Sequence, residues 1–94
     1  MKRQTFIGMV REKMVPRYER WKSRTDVHPA VKEYMTAISD PYGDHFKASY
    51  YSFRKGQEMR DRMVEDISGR YGVDERMLRD AYICDIARAL HGRS

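Results

Sequence analysis

Apolar side chains return every three or four residues along most of the chain, the spacing at which they share one side of an α-helix. Phe6, Met9, Val10 and Met14 mark such a stripe in a helix predicted from about Gln4 to Met14, with Arg11, Glu12 and Lys13 mostly on the other side and Gly8 weakening it slightly. Pro16 lacks an N–H and its ring clashes with the preceding turn, so a kink or break is expected there, with Pro16 opening a second short helix through Arg17 to Lys22. Residues 23–28 read as a connection. Pro29 suits the first turn of the next helix, Pro29 to Ser39, with Asp26 or His28 near its cap and Val31, Tyr34, Met35 and Ile38 as its buried stripe.

Asp40-Pro41-Tyr42-Gly43 is a turn: Asp accepts local backbone hydrogen bonds, Pro presets its φ, Gly tolerates positive φ, and Asp44 is expected to cap the next helix. The longest periodic stretch, His45 to Tyr71, carries Phe46, Tyr50, Phe53, Met59, Met63 and Ile67 and reads as one helix or two, interrupted at Gly56. Gly72 suits a left-handed helix end and Asp74 a cap for a last helix, Glu75 to Leu90. Its Met77, Leu78, Ala81, Tyr82, Cys84, Ile86 and Leu90 form an apolar arc wide enough for a central core element. No β-type alternation persists. The expectation is one all-α domain of four or five helices, its core built by the middle segment and the last helix, with the basic N-terminal helices laid across them.

Composition limits the choice of function. Ninety-four residues with 40% apolar and 12% aromatic content suffice for one modest core, and a chain so short leaves room for a homodimer or a docked partner to add stability. The single cysteine, Cys84, forms no internal disulfide and has no companion for a zinc site; it reads as a small core residue in a reducing compartment. No apolar run reaches membrane-spanning length, and the basic N-terminus lacks the apolar core of a secretory signal, so a cytoplasmic protein is expected. No cofactor motif and no catalytic grouping is visible. His28, His45 and His91 are scattered, the six glycines form no phosphate loop, and Asp40, Asp44 and His45 are explained by a turn and a cap without a metal.

Charge is unevenly distributed. Up to Arg24 there are eight cationic residues against Glu12 and Glu19, whereas from Asp26 onward eleven cations face twelve acids. An excess concentrated at one end suits phosphate, an anionic membrane or an acidic protein, although Glu12 and Pro16 weaken the membrane reading. Within this segment Arg17, Arg20, Lys22 and Arg24 surround Tyr18 and Trp21. Cations that neutralise phosphate beside rings that stack on bases suit nucleic acid, and the same residues suit protein interfaces. Tyr18 and Trp21 can equally pack inward, leaving the arginines to solvate the surface.

Residues Val64 to Arg79, VEDISGRYGVDERMLR, resemble the helix-turn-helix of DNA-binding regulators: a small residue (Ser68) four before the turn glycine (Gly72), an apolar residue after it (Val73) and another six past it (Leu78). The resemblance implies a DNA contact through Arg76 and Arg79, against which Asp74, Glu75, Asp80 and Asp85 would repel phosphate. The expected function is therefore nucleic-acid binding, DNA ahead of RNA, in regulation, with an adaptor or inhibitor that docks on an acidic protein as the alternative.

Overall fold

The computed structural model describes residues 5–91, which form five α-helices and, among the described residues, no strand. Gln4, expected to begin the first helix, lies outside the described residues, as do Lys2 and Arg3 of the basic segment.

Helix α1, Phe6–Ser23, starts where Thr5 Oγ1 accepts a hydrogen bond from the Gly8 N–H at 3.1 Å. It then runs without a break through Pro16, which corrects the expected two-piece arrangement. Proline costs a helix one hydrogen bond. Here that loss falls on an exposed position, and side chains anchor the helix on both sides of it: Arg11 Nε donates to the Pro41 carbonyl at 3.1 Å, and Trp21 is buried.

Helix α2, Pro29–Ser39, begins with Pro29 in its first turn and is capped by His28, whose Nδ1 accepts from the Ala30 N–H at 3.0 Å. Ala30, Val31, Tyr34, Met35, Ile38 and Ser39, six of its eleven residues, are buried. It packs against all four other helices. The last helix, expected to be central, buries only Leu78 and Asp85 of its seventeen residues. The centre of the core is therefore α2, because its apolar residues gather on one side of the helix, whereas those of the last helix are spread too widely to face one neighbour.

In the turn after α2, Asp40 Oδ1 accepts from the Tyr42 N–H at 2.9 Å. Gly43 has φ −82°, so no positive φ is needed there, and Gly43 rather than Asp44 occupies the cap position of α3, Asp44–Tyr51. A Cβ on Gly43 would sit 3.2 Å from the Asp40 Cβ, which is the constraint at this site.

The break in the long middle stretch falls at Ser52, not at Gly56. Ser52 has extended backbone (φ −158°, ψ 115°), donates its N–H to the Ala48 carbonyl as α3 ends, and accepts from the Lys55 N–H at 3.2 Å as α4, Phe53–Tyr71, begins. Gly56 lies inside α4 and lets α3 approach closely: a Cβ there would meet Ser49 Oγ at 2.2 Å. Helix α4 ends at Gly72, whose φ of 66° is left-handed, with the Val73 N–H donating back to the Ser68 carbonyl at 3.1 Å. Asp74 then accepts from the Arg76 N–H at 2.8 Å as α5, Glu75–His91, begins.

Trp21 of α1, the α2 stripe, Val64 and Ile67 of α4 and Leu78 of α5 form one buried cluster, bordered by Val27, Met63, Val73, Ala81 and Tyr82. The domain is elongated, 50 × 29 × 22 Å, with a radius of gyration of 14.0 Å against the roughly 12 Å usual at this length. Among the described residues no helix is long and apolar enough to cross a membrane.

Candidate interaction surface

Three of the residues singled out for partner binding converge on one buried carboxylate. Trp21, 5% exposed, donates its indole N–H to Asp85 Oδ1 at 3.2 Å, and Arg17 Nε donates to Asp85 Oδ2 at 2.6 Å. Arg20 Nη2 stands 3.5 Å from Oδ1. The Asp85 side chain is 2% exposed, against 25% for Arg17 and 48% for Arg20. A buried Trp needs an acceptor for its N–H, and a buried carboxylate needs cations and donors; each satisfies the other here. Trp21 is thus packed inward, as the alternative sequence reading had it, and its ring is out of reach of a base. Asp85, read from sequence only as a repeller of phosphate, stitches α1 to α5. Its sequence signal was phase: it lies seven residues after the buried Leu78, two helical turns on the same face.

The other predicted residues occupy the surface. Arg24 grips Asp26 through Nε and Nη2, both at 2.9 Å, while its guanidinium lies 4.7 Å from the Trp21 ring centre. The Arg24 hydrogen bond draws the exposed Asp26 carboxyl down to about 2. Tyr18 is half-buried under Lys22, whose Nζ is 5.6 Å from the ring centre. On α5, Arg79 is held by Asp61 at 3.0 Å and Glu75 at 3.4 Å. Arg76 is exposed, with no ion pair among the described residues. The positions that resemble a helix-turn-helix are occupied as packing requires: Ser68 and Leu78 buried, Val73 half-buried, Gly72 left-handed. Of the six arginine and lysine candidates, four spend their charge on carboxylates of this chain.

Cys84, expected in the core, is exposed, since it lies about a third of a turn around α5 from the buried face of Leu78 and Asp85. Among the described residues no three His, Cys, Asp or Glu side chains are grouped to hold a metal ion.

Sequence reasoning missed an aromatic surface at the front of α1. Phe6 lies 6.1 Å from the Tyr50 ring, which lies 5.7 Å from Phe46 and 5.0 Å from Tyr51. Arg11 is set over two rings at once, 4.9 Å from Tyr42 and 5.3 Å from Phe46. Phe6 is 70% exposed, Tyr51 78% and Phe53, just past the Ser52 break, 80%. Between residues 45 and 58 three cations, Lys47, Arg54 and Lys55, stand against the single acid Glu58. The available signal was Phe6 together with the Tyr50-Tyr51-Ser52-Phe53 run, which holds more large rings than one short helix can bury. Compared with known proteins, the chain matches no family model, no curated protein and no solved structure.

Proposed function

We propose that this is a small protein-binding module that docks on an acidic partner through the aromatic surface of Phe6, Tyr50, Tyr51 and Phe53. The observation that carries this reading is the exposure of large rings, with Phe6, Tyr50 and Tyr51 in ring contact and Phe53 two residues past Tyr51, flanked along the chain by Arg11, Lys47 and Lys55. Rings left in water cost free energy, and large exposed apolar patches mark places where another molecule sits. Tyr, Phe and Arg together are the composition of interface cores, and the surrounding cations favour a partner of opposite charge. Nucleic-acid binding, DNA ahead of RNA, is the second reading. It rests on the net charge of +5 and on Arg76, which the pairing of Arg79 and the burial of Trp21 leave with few helpers.

The test is capture of binding partners by the wild-type chain and by a Phe6→Ser/Tyr51→Ser/Phe53→Ser variant, with and without nuclease. Protein partners held by the wild type after nuclease and lost by the variant support docking through the rings. Partners removed by nuclease and still held by the variant overturn it in favour of nucleic acid.

A further inference from the structure

Behind the aromatic surface, α1, α2, α3 and α5 enclose a cleft of about 230 Å³. Its walls are apolar, formed by Val10 and Met14 of α1, Ile38 of α2, and Phe46 and Tyr50 of α3. Four polar side chains also line it: Arg17, His45, Ser49 and Tyr82. Apolar walls with a few polar groups are the usual make-up of a small-molecule site.

The polar groups define the ligand they suit. Arg17 gives its Nε to Asp85, while its Nη2 is buried and finds no hydrogen-bond partner among the described residues. His45 Nδ1 faces the Ile38 carbonyl at 3.1 Å, so Nδ1 carries the proton and Nε2 accepts, from Ser49 Oγ–H at 3.1 Å and Arg60 Nη1–H at 2.9 Å. Burial, first, and then the charge of Arg60 push the His45 pKa below its usual value and keep the ring neutral. Arg60 itself lies 4.8 Å over the Tyr82 ring and has no carboxylate partner among the described residues. Two guanidinium groups, those of Arg17 and Arg20, share the single carboxylate of Asp85, and Arg60, which donates to the cleft residue His45, adds a third cation without a carboxylate of its own among the described residues. Such a surplus attracts an anion, and a buried guanidinium donor without a partner is the group that a carboxylate satisfies best.

We propose that this cleft binds a small organic monocarboxylate, its carboxylate drawn to the Arg17 guanidinium and its apolar body between Val10, Met14, Ile38, Phe46 and Tyr50. A cavity of about 150 Å³ accepts benzene, so this volume takes one ring together with a carboxylate. The site shares Tyr50 with the docking surface, needs no protein partner and is tested on the isolated chain.

The probes are benzoate and its neutral counterpart benzyl alcohol, titrated into the isotope-labelled protein and followed by two-dimensional amide NMR. The expected result is saturable benzoate binding with a Kd of about 1 mM or tighter, shifts centred on Val10, Met14, Ile38, Ser49 and Tyr82, and at least tenfold weaker binding of benzyl alcohol. Arg17→Lys keeps a cation opposite Asp85 and removes the second guanidinium nitrogen; benzoate affinity should fall about tenfold or more. Val10→Phe fills the cleft from the other wall and should abolish binding even if Arg17→Lys fails to fold. The proposal is overturned if benzoate does not bind, if benzyl alcohol binds equally well, or if the shifts lie elsewhere and survive Val10→Phe.

Discussion

Replacing Asp85 by Ala tests the central electrostatic feature of the fold. The side chain is 2% exposed and accepts from Arg17 at 2.6 Å and from the Trp21 indole at 3.2 Å. Removing one partner of a buried ion pair costs about 3–5 kcal/mol, because the remaining charge stays behind without compensation. Arg17 and Arg20 are partly in water, at 25% and 48% exposure, which places the expected loss at the lower end, near 3 kcal/mol. A domain of this size has roughly 5–14 kcal/mol in total. Urea unfolding followed by Trp21 fluorescence and by circular dichroism measures the loss, and thermal melting should fall by about 12–24 °C. Native Trp emission should also shift to the red as the indole loses its acceptor and its packing. Asp85→Asn, which keeps an acceptor for Trp21 but not the charge, should fall between the wild type and Asp85→Ala. An Arg17→Met/Asp85→Leu pair should recover part of the loss, since Arg17 leaves together with its carboxylate while Arg20 and the Trp21 N–H still lose theirs. A loss below about 1 kcal/mol in Asp85→Ala with unchanged emission, or a double variant no better than the single, would refute this account.

Two glycines in the same helix should respond with opposite sign: Gly56→Ala drives a methyl into Ser49 and should cost about 1–3 kcal/mol, while Gly69→Ala meets nothing within 4 Å and should add about 0.5–1 kcal/mol, both read from urea midpoints. Pro16→Ala restores a donor inside α1 and should raise the melting temperature, the gain being at most about 3 kcal/mol. His45 has a pKa lowered in the folded state from 6.5, so the unfolded chain takes up the proton first and stability should fall as pH drops below about 6.5, by at most about 1.4 kcal/mol per pH unit. Urea melts between pH 7.5 and 5 should show that slope in the wild type and not in His45→Gln. Cys84 is exposed, so a thiol reagent should modify it in the native protein as fast as a free thiol; slow, unfolding-limited labelling would contradict its placement.

Helix boundaries marked by local chemistry were readable from sequence. Pro29 with His28 opens α2, and Gly72 closes α4, because each signal acts within one turn of the backbone. Gly56 and Pro16 misled for a shared reason: both look like helix breakers, and both are kept in helices by distant residues, Ser49 across the α3–α4 contact for one and the Arg11 and Trp21 anchors for the other. Charge was harder. The excess of cations in the first quarter of the chain is real, yet what neutralises Arg17 and Arg20 is 68 and 65 residues away, and no local pattern shows that pairing. The same distance hid the cleft, whose walls come from four helices. The candidate surface therefore moved from residues 17–24 to the front of α1 and to α3, where aromatic residues outnumber the positions available to bury them.

Ser52 is the only residue separating α3 from α4, and it serves both as the end of one helix and the cap of the next. Straightened there, residues 44–71 become one rod of about 42 Å. The rod carries α1, α2 and α3 away from α4 and α5, and every contact so broken can be remade by a second molecule opened in the same way, with Arg17 of one chain meeting Asp85 of the other. If the bend alone keeps the two halves folded on each other, a helix-favouring side chain in place of Ser52 should raise the share of an exchanged pair in sedimentation, the wild type serving as reference.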